Sequence, residues 1–189
     1  MARSTPVTIC AVVSLVAQSA SAEIVSATSS GFEVRESLPI AARPLDIYSA
    51  IGTPDRWWSS DHTYSGRAAN LRMDLRAGGC WCEKLPEGGS VQHMIVVNAQ
   101  PGKLLRLRGA LGPLQGLAVD GAMTWTITAN SDGTTLGMTY AVGGYAKDGL
   151  NKLAGPVDRV LADQMHRLKT FIETGSPEVV AGSQRKEKP

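Results

Sequence analysis

Alternating apolar and polar positions run through the middle of the chain and predict seven β-strands. Such alternation is typical of strands that bury one face. The intervening segments are rich in Gly, Pro, Asn, Asp and Ser, as turns are, and they permit antiparallel neighbours. The predicted strands are residues 32–38, 71–75, 80–85, 91–97, 104–108, 123–128 and 135–142.

Helical signals occur in three places. Residues 44–51 begin with proline, which is tolerated in a first helical turn, and residues 53–58 begin with the capping sequence Thr-Pro-Asp. Near the C-terminus, residues 157–172 repeat apolar positions at i, i+3, i+4 and i+7, which predicts a long amphipathic helix that ends at Gly175. Residues 148–154 could add an earlier turn to it, with a kink at Gly155-Pro156.

The N-terminus has the three parts of an export signal. Arg3 is followed by an uncharged apolar run at 7–17 and then by Ala20-Ser21-Ala22, a small-x-small cleavage site. The alternative is a membrane anchor, but the run covers only about half of the ~20 residues that a bilayer crossing needs. We therefore predict cleavage before Glu23, a secreted or periplasmic location, and no stable membrane insertion afterwards.

The remaining chain suits one domain with a sizeable core. We predict a signal peptide at 1–22, an N-terminal linker at 23–30, a single domain at 31–174 and a disordered polar tail at 175–189. The 19 basic and 17 acidic residues nearly balance, and basic residues cluster only in the tail. A nucleic-acid partner would need a basic stripe, so we predict that the protein does not bind nucleic acid. We also predict that it is a monomer.

Cys80 and Cys82 are separated by one residue. Residues i and i+2 of a regular strand lie about 6.6 Å apart, near the limit for a disulfide, so we expect two free thiols. A zinc site is not predicted, because a regular strand places both cysteines on the face opposite His93. His62 stays open as a further ligand, but these candidates lack motif spacing.

Glu83 and His93 are candidates for acid–base chemistry. If the hairpin at 80–97 is centred on Gly88, Glu83 lies directly opposite His93 and could hydrogen-bond to it. An imidazole oriented by a carboxylate is the usual form of a general base. The alternative is an ordinary cross-strand pair on the outer face of the sheet, and the sequence leaves both open.

A second group of residues could form the wall of a ligand site. Buried aromatic and methionine side chains more often fill a core, but a phenol or an indole N–H needs a polar partner when buried. Methionine also adapts to varied ligands. Residues 111–116 form an apolar, glycine-rich loop that could gate a cavity. The candidate ligand-binding residues are Trp57, His62, Tyr64, Met123, Trp125, Met138, Tyr140 and Met165.

The order of strand, two short helices, six strands and long helix is accompanied by familiar motifs. These are Pro44…Trp57-Trp58, Gly78-Gly79-Cys80-Trp81-Cys82-Glu83, Val91…Pro101-Gly102-Lys103-Leu104, and Val157-Asp158…Leu161…Leu168. Over residues 31–174 the chain resembles the START/Bet v 1-like (SRPBCC) superfamily, in the branch related to the Hsp90-ATPase-activator C-terminal domain and polyketide cyclases.

The resemblance implies an α+β helix-grip fold: a curved seven-stranded antiparallel sheet around a long C-terminal helix, with two short helices after the first strand. It also implies an apolar cavity for lipids, sterols or aromatic compounds. We predict no cofactor. The export signal argues against co-chaperone activity. We therefore predict an exported protein that binds a hydrophobic small molecule. The alternative is a cyclase/aromatase- or dehydratase-like enzyme that uses Glu83 and His93 as its acid–base pair.

Overall fold

The computed structural model describes residues 21–131 and 133–178. The n-region and apolar run of the predicted signal, and tail residues 179–189, lie outside the described residues. The signal, its cleavage and the disorder of that tail therefore stay predictions.

The described chain is an α+β domain with one curved antiparallel sheet of eight strands and a long C-terminal helix. The strands lie in the order β1-β2-β8-β7-β6-β5-β4-β3. The strands are β1 (Ser21–Thr28), β2 (Gly31–Ile40), β3 (Leu71–Met73), β4 (Cys80–Lys84), β5 (Ser90–Gln100), β6 (Leu104–Arg108), β7 (Ala118–Asn130) and β8 (Gly133–Tyr145). The helices are α1 (Pro44–Ile51), α2 (Pro54–Trp57) and α3 (Asn151–Thr174), with 3-10 turns at Ser60–His62, Ala68–Asn70, Pro86–Gly88 and Gly112–Gly116.

The sheet has eight strands, so the predicted number of seven is wrong. The additional strand, β1, covers the segment that was predicted as a linker. Its sequence shows no alternation, and the neighbours Ile24 and Val25 are both partly exposed, at 43% and 38%. The pairing of β1 with β2 also shifts register between Ile24 and Ser26. This edge strand is held by backbone hydrogen bonds, which leave little hydrophobic pattern in the sequence.

The other predicted elements are present. Helix α1 has the predicted bounds, and α3 continues through Gly155-Pro156 as one element. Gly175 ends α3 in the left-handed conformation, with φ 83°, which a residue without Cβ adopts at no steric cost. Strands β7 and β8 extend beyond their predicted ends to Ala118 and Tyr145, where small residues interrupt the alternation.

The core lies between the apolar face of α3 and the inner faces of β2, β7 and β8. Met165 and Leu168 of α3 are fully buried, as are Val34 on β2 and Leu136 on β8. Among the described residues, no helix is long and apolar enough to cross a membrane.

Candidate functional site

The register of the β4–β5 hairpin differs from the predicted one. Glu83 lies opposite Val91 rather than His93, and Trp81 lies opposite Met94 rather than Ile95. The Leu85 amide donates to the Gly89 carbonyl at 2.9 Å, which places the centre of the loop one residue earlier than Gly88. The residue at that centre, Glu87, takes a positive φ of 56°.

His93 is the extra residue of a β-bulge in β5. The pairing passes from Trp81↔Met94 to Cys82↔Gln92, which leaves His93 without a backbone partner on β4. A bulge disrupts alternation and can turn two consecutive side chains to one face. Accordingly His93 and Met94 are both buried, and so are Trp81 and Glu83. The Glu83–His93 pair therefore lies on the inner face of the sheet.

The two side chains hydrogen-bond within this buried environment. His93 Nε2 lies 3.0 Å from Glu83 Oε2, and the Glu83 residue is only 1% exposed. The same carboxylate accepts hydrogen bonds from two backbone amides, from Ser65 to Oε1 at 2.5 Å and from Tyr64 to Oε2 at 3.1 Å. The segment that precedes β3 thus binds both oxygens of the Glu83 carboxylate through its backbone amides.

These contacts set the protonation of Glu83. Burial by itself raises the pKa of the carboxyl, but the hydrogen bonds from Ser65, Tyr64 and His93 together outweigh it and hold the pKa below its usual value. Glu83 is therefore ionised at neutral pH.

His93 is correspondingly neutral. Burial lowers the pKa of its ring, and this exceeds the opposite effect of the neighbouring Glu83 carboxylate. An ionised carboxylate can only accept a hydrogen bond, so His93 Nε2 carries the ring proton and donates a hydrogen bond to Glu83. Nδ1 is left as an acceptor, and within residues 21–131 and 133–178 it makes no hydrogen bond. The pair thus presents one basic nitrogen that an ionised carboxylate orients.

A continuous row of rings leads from the core to this pair. We call Trp125, Trp57, Trp58, Trp81, His93 and Tyr64 the aromatic row. Successive ring centroids are separated by 6.4, 5.5, 5.0, 5.9 and 6.0 Å. The row begins in the core, with Trp125 1% exposed, and ends at the surface, with Tyr64 50% exposed. Edge-on contacts between these rings add to the stability that their burial provides.

The indole N–H groups in the row fall into two classes. Trp57 donates to the Ala50 carbonyl at 2.9 Å and Trp58 to the His62 carbonyl at 3.0 Å. By contrast, Trp81 Nε1 and Trp125 Nε1 are buried and find no acceptor in the described part of the chain. A buried donor without an acceptor costs about 1–3 kcal/mol, so these two positions are polar points in an otherwise apolar interior.

Residues 111–117, which we call the cover loop, close over the outer end of the row. The Tyr64 hydroxyl donates to the Gly112 carbonyl at 2.7 Å, and Gln115 Nε2 donates to the Gln92 carbonyl at 3.0 Å. Leu114, in the middle of the loop, buries its side chain. The loop is thus held by two exposed hydrogen bonds, by the buried Leu114 side chain and, at its first residue, by a partly buried hydrogen bond from the Leu111 amide to the Tyr140 hydroxyl at 3.1 Å.

The structure brings together only some of the predicted ligand-binding residues. Trp57 and Tyr64 belong to the aromatic row, whereas His62 is exposed and contributes its backbone carbonyl. Tyr140 satisfies its hydroxyl on the backbone of Gly109 and Leu111. Trp125, at the inner end of the aromatic row, is almost fully buried in the core, and so are the remaining predicted residues, Met123, Met138 and Met165. Whether they line a cavity stays a prediction.

Sequence reasoning did not select Trp58 and Trp81 as site residues. The spacing of Trp81 from Glu83 contained the signal, because residues i and i+2 of a strand share a face. A further recess, of about 230 Å³, lies on the opposite face of the sheet between β2, β7 and β8. Thr124, Thr126 and Arg35 are among its lining residues, and its place on the outer face of the sheet distinguishes it from the predicted cavity between α3 and the sheet.

Cys80 and Cys82 form a disulfide, so the prediction of two free thiols is wrong. Their Cα atoms lie 5.4 Å apart, closer than in a regular strand and within the normal range for a disulfide. The register shift between Trp81 and Cys82 occurs within the same three residues. This irregularity distorts the strand, which the prediction from ideal strand geometry did not include.

Comparisons with known proteins identify the fold. No family model and no curated protein matches the chain. Among solved structures, it is similar to CalU16 from Micromonospora echinospora, with a TM-score of 0.55 and 16% identity over 86% of this chain and 88% of CalU16. A conserved protein from Enterococcus faecalis, EF2215, gives a TM-score of 0.54 and 16% identity over 85% of this chain and 82% of its own.

A third similar structure is DynU16, a protein of the dynemicin biosynthetic locus. Its TM-score is 0.55 and its identity 18%, over 77% of this chain and 48% of DynU16. At these identities the likeness shows the fold alone. The chain therefore shares the overall fold of these proteins, and its curved antiparallel sheet with a long C-terminal helix is consistent with the predicted helix-grip fold.

Proposed function

We propose that this domain binds a small apolar or aromatic molecule near the outer end of the aromatic row, between the Glu83–His93 pair and the cover loop. The observation that carries the proposal is the buried indole N–H of Trp81, which lies beside the ring of His93 and has no acceptor among the residues that the structure describes. A polar group placed in this way is a common means of orienting a ligand in a mostly apolar site.

The hydrogen-bonding groups of Trp81 and His93 indicate which functional group the ligand carries. Trp81 offers a donor, and His93 Nδ1 offers an acceptor. A hydroxyl group can accept from the first and donate to the second, whereas a carbonyl can only accept. We therefore infer an aromatic or sterol-like ligand that bears a hydroxyl group, in preference to a pure hydrocarbon.

Entry to this site requires the cover loop to move. The middle of the loop is attached through Tyr64 and Gln115, whose hydrogen bonds are both exposed to water, whereas the partly buried hydrogen bond from Leu111 to Tyr140 fixes its first residue. Exposed hydrogen bonds contribute little net stability, so opening the loop beyond Leu111 has a low cost. The proposal includes export of the protein, since the N-terminal pattern favours it.

The Glu83–His93 geometry favours a second candidate, an enzyme of the cyclase/aromatase or dehydratase type. A neutral imidazole held by an ionised carboxylate can remove a proton from a bound substrate. Glu83 would then stabilise the imidazolium that forms, across the existing 3.0 Å hydrogen bond. Both candidates use the same residues, and turnover distinguishes them.

Thermal-shift screening against fatty acids, sterols and aromatic polyketides tests the binding proposal. A ligand at about 100 times its Kd should raise the free energy of unfolding by about 2.7 kcal/mol. Trp81→Phe keeps the ring and removes the orphan N–H, so it should weaken binding of a hydroxylated ligand about tenfold, which corresponds to one hydrogen bond.

Trp58→Phe is the matched control, because its N–H already donates to His62. It should change the affinity much less than Trp81→Phe does. Binding of no compound, or equal affinity in the Trp81 variant and the wild type, would contradict the proposed site. For the enzymatic candidate, His93→Gln should abolish turnover and retain binding, so a variant with full turnover would rule it out.

A further inference from the structure

The Cys80–Cys82 disulfide lies on the face of β4 opposite to the candidate ligand site. Both cysteines are half-buried, while Trp81 and Glu83 between and beside them are buried on the inner face. The bond links residues only two positions apart. Such a short loop removes less entropy from the unfolded chain than a long one, so structural stabilisation is a weak explanation for this disulfide.

A cationic side chain neighbours one of the two sulfurs. Arg72 of β3 is the direct backbone partner of Cys82 in the antiparallel pairing. Directly opposed residues share a face, with their Cβ atoms about 5 Å apart. Arg72 is exposed, and within residues 21–131 and 133–178 it makes no hydrogen bond or ion pair. Its guanidinium is therefore available to Cys82.

One carboxylate lies beside Cys80: the Asp74 amide donates to the Cys80 carbonyl at 3.1 Å, and the Asp74 side chain is paired with Arg76 at 2.7 Å. Cys82 lies opposite Gln92 on β5, and Cys80 lies opposite Ile95. Lys84 is the next exposed residue of β4 after the two cysteines. A half-exposed sulfur with cationic neighbours is the environment in which a thiolate is stabilised.

From this placement we propose that Cys80–Cys82 is an exchangeable redox pair, a thiol–disulfide exchange site whose partner is a dithiol. The proposal is independent of the ligand-binding site. A thiolate of the partner attacks Cys80 Sγ and forms a mixed disulfide. The Cys80–Cys82 bond breaks, and its electron pair remains on Cys82 Sγ beside Arg72.

The second thiolate of the partner then attacks the partner's own sulfur in the mixed disulfide. A disulfide forms in the partner, and Cys80 leaves as a thiolate. The two cysteine thiolates take up two protons in place of the two that the partner's thiols have lost. The partner is thereby oxidised by two electrons, and the cysteine pair is reduced by two.

Reduction kinetics of the oxidised full-length protein test this proposal. Dithiothreitol serves as a small dithiol, and a reduced peptide with a Cys-x-x-Cys sequence serves as a protein-like one. Native protein should be reduced by both, with a mass gain of two hydrogens and two titratable thiols from Cys80 and Cys82. A preference for the peptide indicates a protein partner, and equal rates indicate a small dithiol.

Variants test the role of Arg72. Arg72→Ala should slow reduction by about threefold or more, because a leaving thiolate of higher pKa departs more slowly. Arg72→Lys should restore most of the rate, and Arg35→Ala, an exposed arginine on the distant strand β2, should not change it. The Cys80→Ser variant retains Cys82, which lies opposite Arg72, and the Cys82→Ser variant retains Cys80. The Cys82 thiol should therefore be alkylated at lower pH than the Cys80 thiol.

Three results would overturn the proposal. The first is a disulfide that resists excess dithiothreitol while the protein stays folded by circular dichroism. The second is a folded Arg72→Ala variant that is reduced at the wild-type rate. The third is purified protein in which both cysteines titrate as free thiols without any reductant.

Discussion

His93 hydrogen-bonds to Glu83 across 3.0 Å although the backbone partner of Glu83 is Val91. His93 lies two positions beyond Val91, so both residues share the inner face with Glu83, and His93 reaches the carboxylate diagonally. The bulge in β5 brings the next residue, Met94, to the same face, opposite Trp81. The polar pair therefore follows from the register of the hairpin, and the bulge adds an apolar neighbour to it.

Glu83→Gln should destabilise the domain. The amide cannot accept from three donors as the carboxylate does, and its own NH₂ group would face one of them. We expect a loss on the order of 3 kcal/mol in the free energy of unfolding at pH 7, measured by urea denaturation. Glu87→Gln, on the exposed turn of the same hairpin, should leave stability nearly unchanged.

The pH dependence of this effect follows from the lowered pKa of Glu83. A carboxyl with a depressed folded-state pKa contributes stability that is complete above its usual value of 4.5 and is lost as the pH falls through its folded-state pKa. The difference between wild type and Glu83→Gln should thus shrink in acid. A difference that stays constant down to pH 2 would contradict this account.

Glu36→Gln should stabilise the domain at neutral and alkaline pH. Burial, with a smaller contribution from Asp158 on α3, raises the pKa of Glu36 to about 7. Its Oε1 atom is buried without a hydrogen-bond partner among the described residues. Between pH 4.5 and 7 the folded state holds a proton that the unfolded state has released, so stability falls as the pH rises through this range.

The gain from Glu36→Gln should accordingly be largest above pH 7, on the order of 3 kcal/mol, and should vanish below about pH 4.5. Chemical denaturation at pH 4 and pH 8 measures it. Glu33→Gln on the same strand is the control, because its carboxylate pairs with Arg35 at the surface. A variant that is less stable than wild type at pH 8 would show that Glu36 has an ionic partner.

Removing the indole N–H of Trp57 and removing that of Trp81 should change the free energy of unfolding by different amounts. Trp57→Phe breaks the hydrogen bond to Ala50 and should lower the free energy of unfolding by about 1–3 kcal/mol. Trp81→Phe removes a buried donor that has no acceptor, so it should cost less than Trp57→Phe, although both lose ring volume. Equal losses in thermal denaturation would indicate that Trp81 Nε1 has an acceptor in solution.

Tyr64→Phe should loosen the cover loop without unfolding the domain. It removes the hydrogen bond to Gly112 and retains the ring beside His93. We expect a stability change below about 1 kcal/mol, together with faster amide exchange in residues 111–117. Tyr145→Phe, an exposed tyrosine on β8, should leave exchange in the loop unchanged.

Export predicts a mature chain that begins at Glu23. Intact-mass measurement of the secreted or periplasmic protein identifies the new N-terminus. Cleavage there keeps the pairing of β1 with β2 from Glu23↔Arg35 to Thr28↔Gly31. A full-length mass in the membrane fraction would contradict the prediction.

The sequence by itself determined the elements whose side chains repeat with a regular period. The stripe from Val157 to Ile172 predicted α3, and alternation predicted seven of the eight strands. Proline at position 44 marked the start of α1 at its observed residue. These patterns are local, because each records which face of one helix or strand is buried.

The tertiary structure alone decided the features that depend on contacts between elements. Strand β1 has no hydrophobic period, and its place comes from backbone pairing at the sheet edge. The bulge at His93 and the Cys80–Cys82 bond both depart from an ideal strand, so period-two reasoning predicted neither. A register and its irregularities arise from the joint packing of paired strands and the turn that connects them, and one strand's sequence does not contain that information.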